Sequence, residues 1–529
     1  MLTYDVVIAG YGPTGAVAAN LLGRQGLNVL VVEPSLEIYD IPRAVHFDGE
    51  VMRIFQHLDL EGKIYEVAAE GVAIGFTNGK NWPLFYQDLS LIHRHHGWFN
   101  GLFFNQPRLE QHLRQGVERY TNAEVKLGWT IEHFEQTDDG VEAQLKDIAG
   151  TAETVSCRYL LGCDGASSTV RKLLNIPQED LECDEPWLVC DLILDEGTEV
   201  ERTAYQICDP ARPTTLVPCE GTHIRWEFML NDDDDIAEIE DEANVRAMMA
   251  PHLHRLSPAL NSQHGELIRA KVYNFHALIA ETFQQDRVFL LGDAAHQTPP
   301  FLGQGMCAGI RDAYNLSWKL IGILNGNYTP ELLNTYTTER RPHVYEVITS
   351  AVNIGDIIQT RNPVKAFLRD SYLMLGKVFP PLVGMLKFGE GWNIGSGLLS
   401  IEDAPKKGAP IGYPIPQAMV QPLKNGESGA AVWSDELLGE GFTLLGFGVD
   451  PAALLDSHER TIKLAGLHIG PDGQAIEVNG ELTRWAEEHD IALAVVRPDR
   501  HVYGVCKLGG DLEAQLEALL SNLQHQLGV

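Results

Sequence analysis

The 529-residue sequence predicts an α/β protein: a parallel, helix-covered sheet that carries an inserted antiparallel sheet, followed by a further α/β unit. Three observations predict this. A buried strand, a glycine-rich turn and a helix follow one another within the first 24 residues. Short alternating strands fill residues 181–279, and a Pro/Gly-rich stretch at 402–417 sets off a last region of strands closed by an amphipathic helix.

Tyr4 to Gly10 (YDVVIAG) has the β-branched richness of a strand buried on both faces. It runs into Gly10-Tyr11-Gly12-Pro13-Thr14-Gly15 and then AVAANLLGRQG, whose apolar residues recur at helical spacing. Such a Rossmann-like unit holds a dinucleotide pyrophosphate on the amides of a helix N-terminus. Gly10 permits the tight turn, Gly12 lets the pyrophosphate reach the backbone, and Gly15 lets helix and strand pack closely. The next strand, Asn28 to Val32, ends at Glu33, where a carboxylate can accept hydrogen bonds from ribose hydroxyls.

Lys and Arg number 40 against 73 Asp and Glu, a net charge of −33, which excludes nucleic acid and anionic membranes as partners. An anionic ligand therefore needs a local exception, and the helix N-terminus after Gly12 provides one. The eight cysteines show no Cys-x-x-Cys pair or zinc-type spacing, so no metal is expected. Reduced thiols, the absence of a signal-peptide pattern and of any apolar run near ~20 residues predict a cytoplasmic protein.

Two later segments repeat the strand-to-turn theme. Residues 158–171 (RYLLGCDGASSTVR) end a buried strand in Asp164-Gly165, and residues 287–306 (RVFLLGDAAHQTPPFLGQGM) end one in Gly292-Asp293 before a helix. An Asp at a strand end can accept from vicinal hydroxyls, and Gly303 and Gly305 would let backbone amides approach the polar edge of a ring.

These three motifs, in this order, resemble those of the class A flavoprotein aromatic hydroxylases, the para-hydroxybenzoate hydroxylase-like FAD monooxygenases. Within that family, segments 41–55, 208–213, 225–229, 339–343 and 496–502 are most similar to the 3-(3-hydroxyphenyl)propionate hydroxylases. The resemblance implies FAD as cofactor, NADH or NADPH as transient co-substrate, O2, and delivery of a hydroxyl from a flavin C4a-hydroperoxide to a phenolic ring. It gives Gly10, Gly12, Gly15 and Glu33 to the ADP half, Arg43 to the pyrophosphate, and Gln106 and Asp293 to the ribityl chain. Gln304, Gly305 and Met306 would lie along the isoalloxazine. Asp164 and Arg171 are associated with both flavin and nicotinamide.

The implied organisation is a discontinuous FAD-binding domain (1–75, 100–180 and 280–350), a substrate-binding sheet domain (76–99 and 181–279) and a helical segment (351–401). A linker (402–417) then leads to a thioredoxin-like domain (418–529). The helical segment includes VFPPLVGMLKF, which could line a pocket, meet a partner or simply pack. The last domain has only Cys506 and suits packing or a homodimer contact rather than thiol redox work.

Asp48 and His46 are the candidates for the phenol-activating base, with Asp48 equally suited to capping the helix GEVMRIFQHL. Tyr205, Tyr273 and His276 are substrate-side candidates on the inserted sheet; Pro299 would shape the loop at the flavin's reactive edge, and His296 is read as structural. One departure affects the substrate. Where the phenylpropionate hydroxylases carry arginines before the Gln-Pro helix start, WFNGLFFNQP (98–107) has no cation. His93, Arg94, His95 and His96 form either a cationic patch or a solvated loop. A 3-(3-hydroxyphenyl)propionate-like substrate is expected, with a neutral phenol or hydroxylated heteroaromatic as the alternative. A non-catalytic flavin binder and an FAD halogenase are the readings from other classes; the Trp-x-Trp-x-Ile-Pro segment of halogenases is absent.

Overall fold

The computed structural model describes residues 3–378, 393–400, 410–424, 427–456 and 462–529. Its first sheet centres on the strand Tyr4–Ala9, which pairs in parallel with Val29–Glu33 on one side and Ala152–Gly162 on the other. Ala123–Leu127 and Val288–Leu290 extend it, also in parallel. Val6, Val7 and Ile8 have no solvent exposure; burying each such side chain stabilises the fold by roughly 1.5–3 kcal/mol. The helix Pro13–Arg24 packs against Gln106–Val117 and the twenty-residue Gly305–Leu324, so the glycine turn and the second helix start converge.

The second sheet is mostly antiparallel, in the order Glu266–Ala280, Gln178–Ile193, His223–Met229, Thr214–Pro218, Thr203–Cys208, Ala73–Asn78, Pro83–Asp88. It takes in the chain from Ala73 rather than 76, because Ala73–Asn78 pairs in parallel with Thr203–Cys208. One face buries Leu188, Cys190, Leu216, Trp226 and Phe228 against Val245 and Met249. The other face turns toward the first sheet, and a cavity lies between them.

The third sheet, from Met419–Lys424 to Val502–Lys507, docks on the helices behind the cavity. Arg497 Nη2 lies 2.9 Å from Glu339 and 2.7 Å from Asp499, and Lys319 donates to Glu339 at 2.8 Å, all four side chains buried. Residues 410–417, within the expected linker, are held by backbone hydrogen bonds. Gly412 and Ile415 donate backbone hydrogen bonds to Val502 and Arg500, and Gln417 to His95, because this stretch borders the last sheet. The rest of the expected linker, and VFPPLVGMLKF beyond Val378, lie outside the described residues. Cys506 is buried and its thiol is pushed up to about 11 by that burial, which suits packing rather than redox exchange. All eight cysteines are free. Among the described residues no helix is long and apolar enough to cross a membrane, and no cluster of His, Cys, Asp and Glu could hold a metal ion.

Candidate active site

A cavity of about 1510 Å³ opens between the first and second sheets. It exceeds the roughly 300–1,000 Å³ that one drug-sized ligand occupies. Gly10, Gly12, Glu33, Arg43, Gln106, Asp164, Asp293, Gln304, Gly305, Met306, His46 and Asp48 all line it.

The three turn glycines divide by job. A Cβ on Gly10 would meet the Cys163 carbonyl oxygen at 2.3 Å, and one on Gly15 the Gly10 carbonyl oxygen at 2.1 Å, so both are fixed by close packing. Gly15 does not line the cavity. A Cβ on Gly12 would meet nothing within 4 Å; the space it leaves faces the cavity at the start of a helix with no side-chain cap. That is a cradle for phosphate. Glu33 accepts from the Tyr11 amide at 2.8 Å and the Ser35 amide at 2.9 Å, which fixes its carboxylate at the cavity wall.

Other motif residues hold backbone. Gln106 accepts from the amides of Arg43 at 2.7 Å and Ala44 at 2.6 Å and donates to Glu110 at 2.7 Å, so it pins the arginine-bearing loop. Asp164 accepts from Ser168 Oγ at 2.5 Å and from the amides of Thr169 and Val170, while Arg171 ties its turn to the Ala294 carbonyl. Asp293 differs: it lines the cavity, its carboxylate takes no hydrogen bond from a described residue, and desolvation by the surrounding protein raises its pKa. A lone acceptor there fits the polyhydroxyl chain of a flavin dinucleotide. Behind it, buried Asp312 accepts from His296 at 2.7 Å, Arg340 at 2.7 Å and the Gly292 amide at 3.0 Å, which makes His296 structural.

His46 and Asp48 stand together at the start of Gly305–Leu324. His46 Nδ1 lies 3.4 Å from the Gly303 carbonyl oxygen, and Nε2 makes no hydrogen bond among the described residues. Burial lowers its pKa while the nearby Asp48 charge partly restores it. Asp48 caps its helix, accepting from the Val51 amide at 3.1 Å, and accepts from Arg311 Nη2 at 2.6 Å. Burial alone would raise this carboxyl, but Arg311 lowers it to about 2, and both its oxygens are engaged, one by the Val51 amide and the other by Arg311. Arg311 also donates to Glu50 at 2.7 Å and Gln304 at 3.0 Å. Nothing in the sequence singles out Arg311, because its carboxylate partners Asp48 and Glu50 lie some 260 positions away.

The second sheet presents Ala204, Gln206, Thr215, Val217, Arg225 and Glu227 to the cavity. Strand alternation puts Tyr205 on the opposite face, where it packs with Leu216 and Trp226 and its hydroxyl lies 3.3 Å from Glu201. Tyr273 is exposed at the sheet's rim beneath Arg269, and His276 lies outside the cavity 3.6 Å from Asp184; neither lines it. Pro299 is buried just behind the lining residues Thr298 and Pro300. Of the four residues 93–96, His93 and Arg94 are exposed, and His93, His95 and His96 reach the cavity. His96 is buried, burial pushes His95 down to about 4, and the loop is held by Pro414 and Gln417 of the docked C-terminal region. Glu227, which the sequence reading passed over, is discernible only once the strand's inward face is known.

Fold and cavity define a dinucleotide-binding enzyme with a covered reaction chamber. The family described as FAD binding domain matches residues 3–351, and that described as HcaD C-terminal domain matches 416–522. The chain is 32% identical over 549 residues to the 3-(3-hydroxy-phenyl)propionate/3-hydroxycinnamic acid hydroxylase of Klebsiella pneumoniae (strain 342), covering 99% of this chain and 96% of that one. It is 31% identical over 524 residues to 3-(3-hydroxy-phenyl)propionate/3-hydroxycinnamic acid hydroxylase 2 of Burkholderia vietnamiensis (strain G4 / LMG 22486), covering 94% and 93%. The solved aklavinone-11 hydroxylase, in complex with FAD and aklavinone, shares the fold over 100% of both chains at a TM-score of 0.79 and 22% identity. The chain belongs to the FAD-dependent aromatic hydroxylases: its cofactor is FAD, and it is a monooxygenase that hydroxylates aromatic rings.

Proposed function

We propose that this enzyme hydroxylates a phenol seated between the flavin site and the second sheet, with His46 taking the phenolic proton. The observation that carries this reading is the state of His46, a cavity-lining residue whose Nε2 makes no hydrogen bond among the described residues while Nδ1 lies 3.4 Å from the Gly303 carbonyl oxygen. With Nδ1 protonated and donating to that carbonyl, Nε2 is an acceptor. FAD, reduced by NADH or NADPH, supplies the activation of O2 and the transfer of one oxygen atom to the ring. Gly12, Arg43 and Asp293 hold the dinucleotide, and Gln304, Gly305 and Met306 border its ring. Phe103, Phe301, Leu302 and Ile74 give the substrate ring apolar contacts and exclude water. Asp48, fixed by Arg311, stabilises the imidazolium that forms when the proton arrives.

The relatives' names favour a phenol with a three-carbon acid chain. The cavity favours a neutral phenol or hydroxylated heteroaromatic, because Arg225, the guanidinium on the sheet wall, is committed to Asp191 at 2.9 Å and to the carbonyls of Pro42 and Arg43. The test is purified FAD-loaded enzyme given NADH or NADPH, 18O2 and a panel of both substrate types. We expect faster NAD(P)H oxidation and a product one labelled oxygen heavier, ortho or para to the hydroxyl. Protein that cannot take up FAD, or NAD(P)H loss yielding only peroxide with every phenol, overturns the reading.

A further inference from the structure

We propose that Glu227 is a specificity-determining residue: it accepts a hydrogen bond from an O–H or N–H donor on the substrate and selects against substrates that bring a carboxylate to the second sheet. The inference rests on the phenol-hydroxylase reading and names the substrate class within it.

The sheet register builds the site. Gln206 lies directly opposite Thr215, and Thr215 directly opposite Glu227. Cross-strand neighbours share a face, so the three side chains form one polar row on the chamber wall that the second sheet supplies. Thr215 Oγ1 donates to Gln206 Oε1 at 2.7 Å, which turns the Gln206 amide nitrogen, a donor, toward the ligand space. Glu227 supplies the matching acceptor. Its side chain is 7% exposed, lines the cavity, and has no hydrogen-bond or ion-pair partner among the described residues.

The neighbouring cations do not supply that partner. Arg225 directs Nε and Nη2 to Asp191 at 2.9 and 3.1 Å, and Arg269 lies 3.2 Å from Asp191 and donates to the Pro42 carbonyl at 2.9 Å. Their job is to clamp the second sheet to the loop that bears Arg43. Buried acceptors are normally paired, and one left open toward a ligand chamber is satisfied when the ligand brings a donor. A carboxylate can only accept. A second acceptor of like charge placed against Glu227 leaves both unpaired and repels, which is how a site rejects a wrong ligand as well as welcoming a right one.

The experiment uses FAD-loaded enzyme and three meta-substituted phenols of equal chain length: 3-(3-hydroxyphenyl)propionate, the corresponding propan-1-ol and the corresponding propan-1-amine. Dissociation constants are read from the flavin absorbance change at about pH 8, because burial raises the Glu227 carboxyl above its ordinary range, and kcat/KM from hydroxylated product. Wild-type enzyme is expected to bind the alcohol and amine about tenfold or more tightly than the acid. Glu227→Gln is expected to tighten the acid and weaken the amine by similar factors, and Glu227→Ala to remove the discrimination. A merely structural role moves all three ligands together. A wild type that prefers the acid, a ranking unchanged in both variants, or no binding of any of the three overturns the proposal. Binding in the expected order without hydroxylation leaves Glu227 in place and overturns the phenol-hydroxylase reading.

Discussion

Glu339 and Arg497 meet at 2.9 Å with neither side chain exposed, joining the helix Thr335–Ile358 to the last sheet across 158 positions of sequence. Lys319 and Asn315 converge on the same carboxylate at 2.8 and 2.7 Å. Glu339→Gln leaves buried Lys319 without a carboxylate and Arg497 with Asp499 alone, and removing one partner of a buried pair costs about 3–5 kcal/mol. Thermal unfolding of the holoenzyme should therefore begin at the C-terminal sheet and at lower temperature. Burial would raise this carboxyl, but Arg497 and Lys319 hold it at about 2 against an ordinary 4.5. The folded-state pKa is depressed, so the stabilisation is complete above 4.5 and is lost as pH falls toward 2. Glu339→Gln should flatten that part of the stability profile; an unchanged acid transition removes Glu339 from it.

Gly12 and Gly15 give opposite predictions for one substitution. Gly15→Ala drives a Cβ to 2.1 Å from the Gly10 carbonyl oxygen and should yield little folded protein. Gly12→Ala meets no protein atom within 4 Å and keeps a φ of −70°, so it should fold normally and lose flavin affinity. Circular dichroism and the flavin content after gel filtration separate the two outcomes. Equal flavin retention by Gly12→Ala and wild type would put the pyrophosphate elsewhere.

The contrast shows which parts of the molecule a sequence exposes. Strand, turn and helix in residues 4–24 are local, and each is written in a period of 2 or 3.6 residues. The segments at 339–343 and 496–502 stand out by resemblance alone; that Glu339 and Arg497 touch is a long-range fact. Strand alternation can be read for 203–208, but which face meets the cavity depends on how two sheets pack, so Tyr205 was chosen where Gln206 faces inward. His95 and His96 read as polar loop because the C-terminal segment that holds them lies more than 300 positions away. Arg311 is silent for the same reason: it lies past the motif that opens its helix, and its carboxylates are near the other end of the domain.

Asp48→Asn tests whether Asp48 acts through its charge. An Asn keeps the helix cap, so folding and flavin content should change little. The ion pair with Arg311 is lost, and with it the charge that raises the His46 pKa. Hydroxylation should slow by more than flavin binding weakens, and the acid limb of kcat/KM should move to lower pH. A slower enzyme with an unmoved limb would mean that Asp48 only positions Arg311.

The sign of the His46 titration makes the last prediction. Burial is the largest influence and lowers the pKa from the ordinary 6.5, with Arg311 acting the same way and Asp48 and the Gly303 carbonyl opposing. Only the neutral ring accepts a proton at Nε2, so kcat/KM for hydroxylation should hold steady through neutral pH and fall on acidification with a midpoint below 6.5. His46→Asn should remove that limb and slow hydroxylation by about 10²–10⁴-fold. Because the missing step is deprotonation, fluorinated phenols that ionise on their own should recover much of the rate in the variant, while NAD(P)H-driven flavin reduction without substrate stays near wild type. Persistence of the acid limb in His46→Asn, or equal loss for phenols of high and low acidity, would assign the proton to another acceptor.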